Sequence, residues 1–201
     1  MSHEGNSQPR SQLRSLFFGG LLPVIAYSLV EEYYGVKWGL VTGMVLGVGE
    51  IVYEKITTKK VEAITWIGNG LILGMGTISL FTGEGIWFKL QPAIIELGMA
   101  GFLMGSVLMK KPLLVLMAEK QKMFDRYTDE GRKFFEGAFS GMTFRIGIFF
   151  LLHAALATWA ALFWSTRAWA ILKGVGFTVS VFAYMMAEVI LLRRRAAKLR
   201  S

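Results

Sequence analysis

Cysteine is absent from this chain, which removes disulfides, thiolate metal sites and thiol catalysis together. Histidine is scarce: of the two, His3 lies in a polar N-terminal stretch and His153 in an apolar run, too few for a conventional metal site, so no cofactor is expected. The sequence has no phosphate-binding glycine loop, no HExxH, no GxSxG and no pair of aspartates inside an apolar run, which leaves an enzyme little to stand on. Charge is also thin, at 18% of 201 residues. The hydrophobic share of 54%, the 23 glycines and a mean hydropathy of +0.48 are a poor fit to a water-soluble core.

A hydrocarbon layer about 30 Å thick needs roughly 20 apolar residues as helix. Six runs come close to that length: Leu13 to Val30, Trp38 to Tyr53, Ile64 to Phe81, Pro92 to Met109, Ile146 to Phe163 and Ala170 to Leu192. The first lacks a small-residue cleavage site and is read as an uncleaved helix rather than a signal peptide.

The net charge of +8 could point to nucleic acid, but its distribution points to a membrane. With six spans, one side collects Arg10 and Arg14, then Lys55, Lys59 and Lys60, then the basic residues from Lys110 to Lys133 and those from Arg193 to Arg200. The other side holds Lys37, Lys89 and Arg167, while Arg145 and Lys173 sit at span edges. This positive-inside bias predicts a multi-pass membrane protein with both termini in the cytoplasm.

The expected fold is all-α, with six transmembrane helices arranged as three hairpins. Residues 1–12 are expected to be a disordered cytoplasmic tail, 13–192 the membrane domain and 193–201 a basic cytoplasmic tail. Each outer turn carries tryptophan, and Trp38, Trp87, Trp164 and Trp169 read as anchors at the headgroup level. Between the fourth and fifth spans, residues 112–140 place Leu113, Leu116, Met117, Phe124, Tyr127, Phe134, Phe135 and Ala138 at helical spacing among charges. That pattern predicts a cytoplasmic amphipathic segment, with a break at Gly131, lying on the leaflet or capping the bundle. In LMKKPLLVLM, Lys110 and Lys111 end the fourth span at the headgroups, and Pro112 opens the new helix.

Glycines four apart at Gly39, Gly43 and Gly47, continued by Glu50, mark a face that meets protein. Gly70 with Gly74 and Gly101 with Gly105 are read in the same way, and such stripes leave room for a homo-oligomer. Ionisable and polar groups inside spans are the functional candidates: Glu50, Asn69, Glu96, Arg145, His153 and Glu188. Glu50 and Glu188 each precede a basic exit by five residues, roughly 7 Å along a helix, so both can reach water or an arginine. Glu96 falls in the first turn after Pro92, where the helix dipole favours a carboxylate, and Arg145 and Lys173 can snorkel. His153 shares a face with Ala157 and Ala160 and is expected to point at another helix.

From Leu22 onward the chain reads LLPVIAYSLVEEYYGVKWG, KKVEAITWIGNGLILGMGTISLF, GIWFKLQPAII and LMKKPLLVLM. In order and spacing this resembles the intracellular septation protein A family, also called YciB. Pro23, Lys60 with Val61 and Glu62, Trp87 with Lys89 and Pro92, and Lys110 to Leu113 carry the likeness. The fifth span, MTFRIGIFFLLHAALATW, and a longer cytoplasmic segment before it mark a divergent member. The resemblance implies an inner-membrane protein tied to envelope integrity, division-linked wall synthesis and membrane homeostasis, acting through other envelope or division proteins and supplying no catalytic residues. The residues themselves allow two roles. One is an accessory or scaffold protein whose basic loops meet anionic lipid at the cytoplasmic face. The other is a small transporter or lipid-moving protein using Glu50, Asn69, Glu96 and His153.

Overall fold

The computed structural model describes residues 22–197, and all regular structure among them is helical. The tail at 1–12, the start of the first span at 13–21 and the last residues of the basic tail lie outside the described residues. The order is α1 (Leu22–Tyr34), α2 (Val36–Thr58), α3 (Ala63–Thr82), α4 (Ile86–Leu108), α5 (Leu113–Lys120), a 3-10 turn (Met123–Arg126), α6 (Asp129–Phe163), α7 (Thr166–Ile171), a π turn (Leu172–Gly176) and α8 (Phe177–Ala197). Among the described residues four stretches are long and apolar enough to cross a bilayer: α2, α4, α6 and the run from Thr166 to Ala197.

The breaks have local causes. Gly35 and Gly83 adopt φ of 86° and 74°, a region open to glycine, and each stops a helix. Ser165 caps α7 by accepting from the Ala168 amide at 3.3 Å. Two expected boundaries move. The helix expected from Ile146 begins at Asp129 and runs for 35 residues, because no proline interrupts it, its glycines cost only about 1 kcal/mol each, and Asp129 and Glu130 favour a helix start. The break expected at Gly131 falls instead at extended Tyr127, and Gly131 lies in the first turn of α6. The fourth helix begins at Ile86, with Pro92 inside it. Glu96 is therefore well past the first turn, and the dipole argument for it lapses.

Contacts divide the chain into two compact units. The first holds residues 22–91 and 159–174. Its core is Tyr27, Leu40, Ile72, Phe88 and Trp169 with Val24, Ala160 and Ala161. The Tyr27 ring lies 4.5 Å from Phe88 and presents an edge to Trp169 at 6.2 Å. The glycine stripe of α2 packs against this core. A methyl group on Gly43 would come within 2.8 Å of Phe88 Cζ, and one on Gly39 within 3.0 Å of the Tyr27 carbonyl. Gly70, Gly74, Gly101 and Gly105 behave differently, since an added methyl meets nothing within 4 Å at any of them. Small-residue spacing alone cannot tell a face packed within the chain from one that is not.

This contrast makes a prediction. Gly43→Ala should lower stability by about 1–3 kcal/mol through overpacking against a buried ring. Gly74→Ala should raise it by about 0.5–1 kcal/mol through helix propensity. Thermal unfolding of the detergent-solubilised protein measures both, and shifts of the same sign at the two positions would refute the packing account.

The second unit holds residues 92–158 and 175–197. Gly147 of α6 faces Met104 of α4. Phe149 of α6 stacks 5.0 Å from Tyr184 of α8, and His153 meets Phe177 at 4.9 Å. Arg145, Phe149 and His153 are four residues apart, so they form one stripe along α6.

Candidate functional site

The polar residues singled out above fall into pairs, each inside one unit. In the first, the Asn69 side-chain amide donates to Glu50 Oε2 at 2.8 Å. Asn69 is fully buried, and its Oδ1 has no hydrogen-bond partner among the described residues. A methyl on Gly47 would lie 3.0 Å from that oxygen. The glycine stripe and the polar pair are thus one construction, in which the missing side chain at 47 admits the amide of α3.

In the second unit, Glu96 and His153 are both buried, and His153 Nδ1 shares a 2.9 Å hydrogen bond with Glu96 Oε2. Phe149 and Phe177 flank the imidazole, whose Nε2 lacks a hydrogen-bond partner among the described residues. His153 does point at another helix, as its alanine-rich face predicts. Along the same stripe, Arg145 makes a two-pronged contact with Glu188, Nε to Oε1 at 2.6 Å and Nη2 to Oε2 at 2.7 Å. The Tyr184 hydroxyl donates to Glu188 Oε1 at 2.6 Å. The arginine expected to snorkel at a span edge is therefore tied to the glutamate expected to reach water or an arginine. Planar guanidinium against carboxylate is the strongest ion-pair geometry available to side chains.

Two participants escaped the sequence reading. Tyr184 looks like any aromatic residue in a span, and only its position four residues before Glu188 hints at a partner. Lys89 was counted as a basic residue in an outer turn, yet it is largely buried. It lies 3.7 Å from Glu31 and donates to the Thr166 hydroxyl. Arg167 approaches Glu32 at 3.5 Å on an exposed surface, where such pairs add little.

The aromatic anchors divide. Trp38 is 63% exposed and Trp87 40%, as residues that face headgroups must be, whereas Trp169 is 0% exposed. An indole with no accessible surface cannot meet headgroups, so Trp169 is a packing residue of the first unit. Lys110 and Lys111 are exposed at the end of α4, and Pro112 stands one position before α5 instead of opening it. Among the described residues no three His, Cys, Asp or Glu side chains converge as metal ligands would. The buried pairs offer hydrogen-bond and ion-pair locks between helices.

Long apolar helices whose internal charges are met by partners from neighbouring helices define an integral membrane protein of the helical class. The sequence family described as intracellular septation protein A matches residues 17–199, and the chain belongs to that family. It is similar to the inner membrane-spanning protein YciB of Methylobacillus flagellatus, 25% identical over 179 residues that cover 89% of this chain and 94% of the relative. It is likewise similar to the inner membrane-spanning protein YciB of Idiomarina loihiensis, 25% identical over 181 residues covering 84% and 93%. No solved structure matches the chain.

Proposed function

We propose that this protein is a six-span accessory or scaffold protein of the bacterial inner membrane, with both termini in the cytoplasm. Its role is in envelope integrity, division-linked wall synthesis and membrane homeostasis, exercised through other membrane proteins and through anionic lipid. The observation that carries this reading is the pairing of its buried polar and ionisable side chains. Glu96 with His153, Arg145 with Glu188 and Lys89 with Glu31 hold helices together, which is what a rigid platform requires. The six-span topology draws support from the alternation of basic loops and from α3, whose 20 residues extend about 30 Å, the thickness of the hydrocarbon layer. Residues 112–140 then lie on the cytoplasmic side, where the exposed Leu116, Met117, Met123 and Tyr127 face lipid or a partner.

A second reading, a small transporter or lipid-moving protein, is favoured by two atoms. Asn69 Oδ1 and His153 Nε2 are buried without hydrogen-bond partners, and each leaves a polar position that a passing group can use. One comparison separates the readings. Charge reversal at Lys110 and Lys111, or deletion of residues 119–136, is expected to harm membrane placement or recovery of partner proteins more than alanine at Glu50, Asn69, Glu96 and His153 harms the envelope phenotype. The reverse ranking would select the transporter, and equal tolerance would count against the scaffold.

A further inference from the structure

The end of α4 holds a lysine where glycine is the usual choice. Lys110 has φ of 57°, and the turn around it is a Schellman closure: its amide donates to the Val107 carbonyl and the Lys111 amide to the Ser106 carbonyl, both at 2.9 Å. A non-glycine residue in this left-handed region carries steric strain from its Cβ, and such strain persists where surrounding structure or function holds it. Lys59, at the end of α2, has the same conformation, with φ of 58°. At Lys110 the surroundings are specific. Pro112 gives α5 no side-chain cap, yet the Leu113 amide donates to Ser106 Oγ at 3.2 Å and the Leu114 amide to Thr143 Oγ1 at 3.4 Å. The corner is thereby fastened to α4 on one side and α6 on the other.

A groove of 460 Å³ opens beside this corner, bordered by Lys110, Lys111 and Lys133, with Val115 and Leu116 along its apolar wall. Two carboxylates, Glu119 and Glu136, also border it, and they would ordinarily cancel the lysines. They are engaged elsewhere: Arg132 Nε meets Glu136 at 2.6 Å and its Nη2 meets Glu119 at 3.3 Å. Among the described residues the three lysines have no ion-pair partner. Next to the lysines, Leu108 is 79% exposed and Met109 69%. The corner therefore presents a small cationic recess adjoining open hydrocarbon surface.

We propose that this groove binds the phosphate headgroup of an anionic phospholipid, with Lys110, Lys111 and Lys133 around the phosphate and an acyl chain along Leu108, Met109 and Leu116. An amphiphile of negative charge is the ligand class that satisfies both surfaces together; a soluble phosphate would use the lysines and leave the leucine and methionine side chains bare. The assignment rests on the reading that this corner stands at the cytoplasmic headgroups. Arg132 acts through the two carboxylates it holds, as a positioning residue for the lysines.

The test uses full-length protein in mild detergent, with phosphatidylglycerol, phosphatidylcholine or inorganic phosphate added and bound lipid counted by native mass spectrometry. Phosphatidylglycerol should be retained over phosphatidylcholine. Lys110→Gln, Lys111→Gln and Lys133→Gln should each weaken its retention about fivefold, the ratio that corresponds to ~1 kcal/mol per lysine at an anionic surface. Arg132→Gln should weaken it too, by releasing Glu119 and Glu136 onto the lysines, while Lys120→Gln and Lys122→Gln outside the groove leave it near the parent value. Lys110→Gly separates binding from folding, because it relieves the left-handed strain: its thermal midpoint without lipid should rise while phosphatidylglycerol retention still falls. Parent-level retention in the three lysine variants, equal retention of the two lipids, or displacement of phosphatidylglycerol by inorganic phosphate would each overturn the proposal. The topology is checked separately in this cysteine-free chain. A single cysteine at position 122 should react with an impermeant thiol reagent only from the cytoplasm, and one at position 84 only from outside. Reversed labelling would defeat the topology whatever the lipid result, and failed retention would leave the labelling unchanged.

Discussion

Replacing Arg145 with leucine is expected to lower stability by about 3 kcal/mol, and replacing Arg145 and Glu188 together is expected to recover most of that loss. The Glu188 side chain is only 7% exposed, and two of its three hydrogen bonds come from the Arg145 guanidinium. Without Arg145, the carboxylate keeps the Tyr184 hydroxyl and loses the guanidinium bonded to it, leaving only the weaker influence of Arg195. Stranding one member of a buried pair typically costs about 3–5 kcal/mol, and the lower end applies because Arg145 itself is 30% exposed. Removing both members deletes the stranded charge along with the attraction, and a leucine pair refills the space. Arg145→Lys should fall between parent and Arg145→Leu, because an ammonium keeps the charge and loses the two-pronged geometry. Thermal unfolding in detergent measures the series. A double variant no better than the single would mean that the pair is not what Arg145 contributes.

Trp169→Ala is expected to be at least as damaging, at about 3–5 kcal/mol, while Trp169→Phe should cost less than about 1.5 kcal/mol. The indole is fully buried against Tyr27 in the core of the first unit, so truncation to alanine opens a cavity the size of a bicyclic ring. Phenylalanine fills much of that cavity. It also removes the indole N–H, which is buried without a hydrogen-bond partner among the described residues and is itself a source of instability. Trp38→Ala provides the contrast. That side chain is 63% exposed, and its loss should shift the thermal midpoint little in detergent. If Trp169→Ala and Trp38→Ala behaved alike, the distinction between packing and surface tryptophans would fail.

Tryptophan also marks where the sequence stopped being informative. Its abundance near turns follows from its preference for interfaces, but a preference shared by every tryptophan cannot identify the one that folds inward. Hydropathy located α2, α3 and the membrane portions of α4 and α6 because it measures partition, a property each residue carries by itself. The partners of polar residues belong to pairs, and they were read only as tendencies. Position lets Glu188 reach either water or an arginine, and nothing in the local sequence selects Arg145, 43 positions earlier, or enlists Tyr184. The stripes at Gly39, Gly43 and Gly47 and at Gly70 and Gly74 read alike as faces that meet protein, yet only the first packs against other parts of the chain. The difference lies in Tyr27, Phe88 and Asn69, which are remote in sequence from the glycines they fill. Lys89 went unnoticed because a lysine near a turn is ordinarily solvated, and its burial depends on Glu31 and Thr166 arriving from other helices.

The two hydroxyls at the start of α5 bear on how the chain can change length. Ser106 and Thr143 hold the amides of Leu113 and Leu114 at a fixed count of residues from the end of α4, so an extra residue between 107 and 112 would break both bonds at once. From Gln121 to Thr128, by contrast, backbone hydrogen bonds close over short separations: Gln121 to Met117, Lys122 to Glu119, Tyr127 to Phe124. Growth there leaves both of those amide bonds in place, and what it can disturb is the Arg132–Glu119 pair that spans the segment. Added length before α6 is most cheaply accommodated beyond α5, where residues can be inserted while the corner at Lys110 keeps its register.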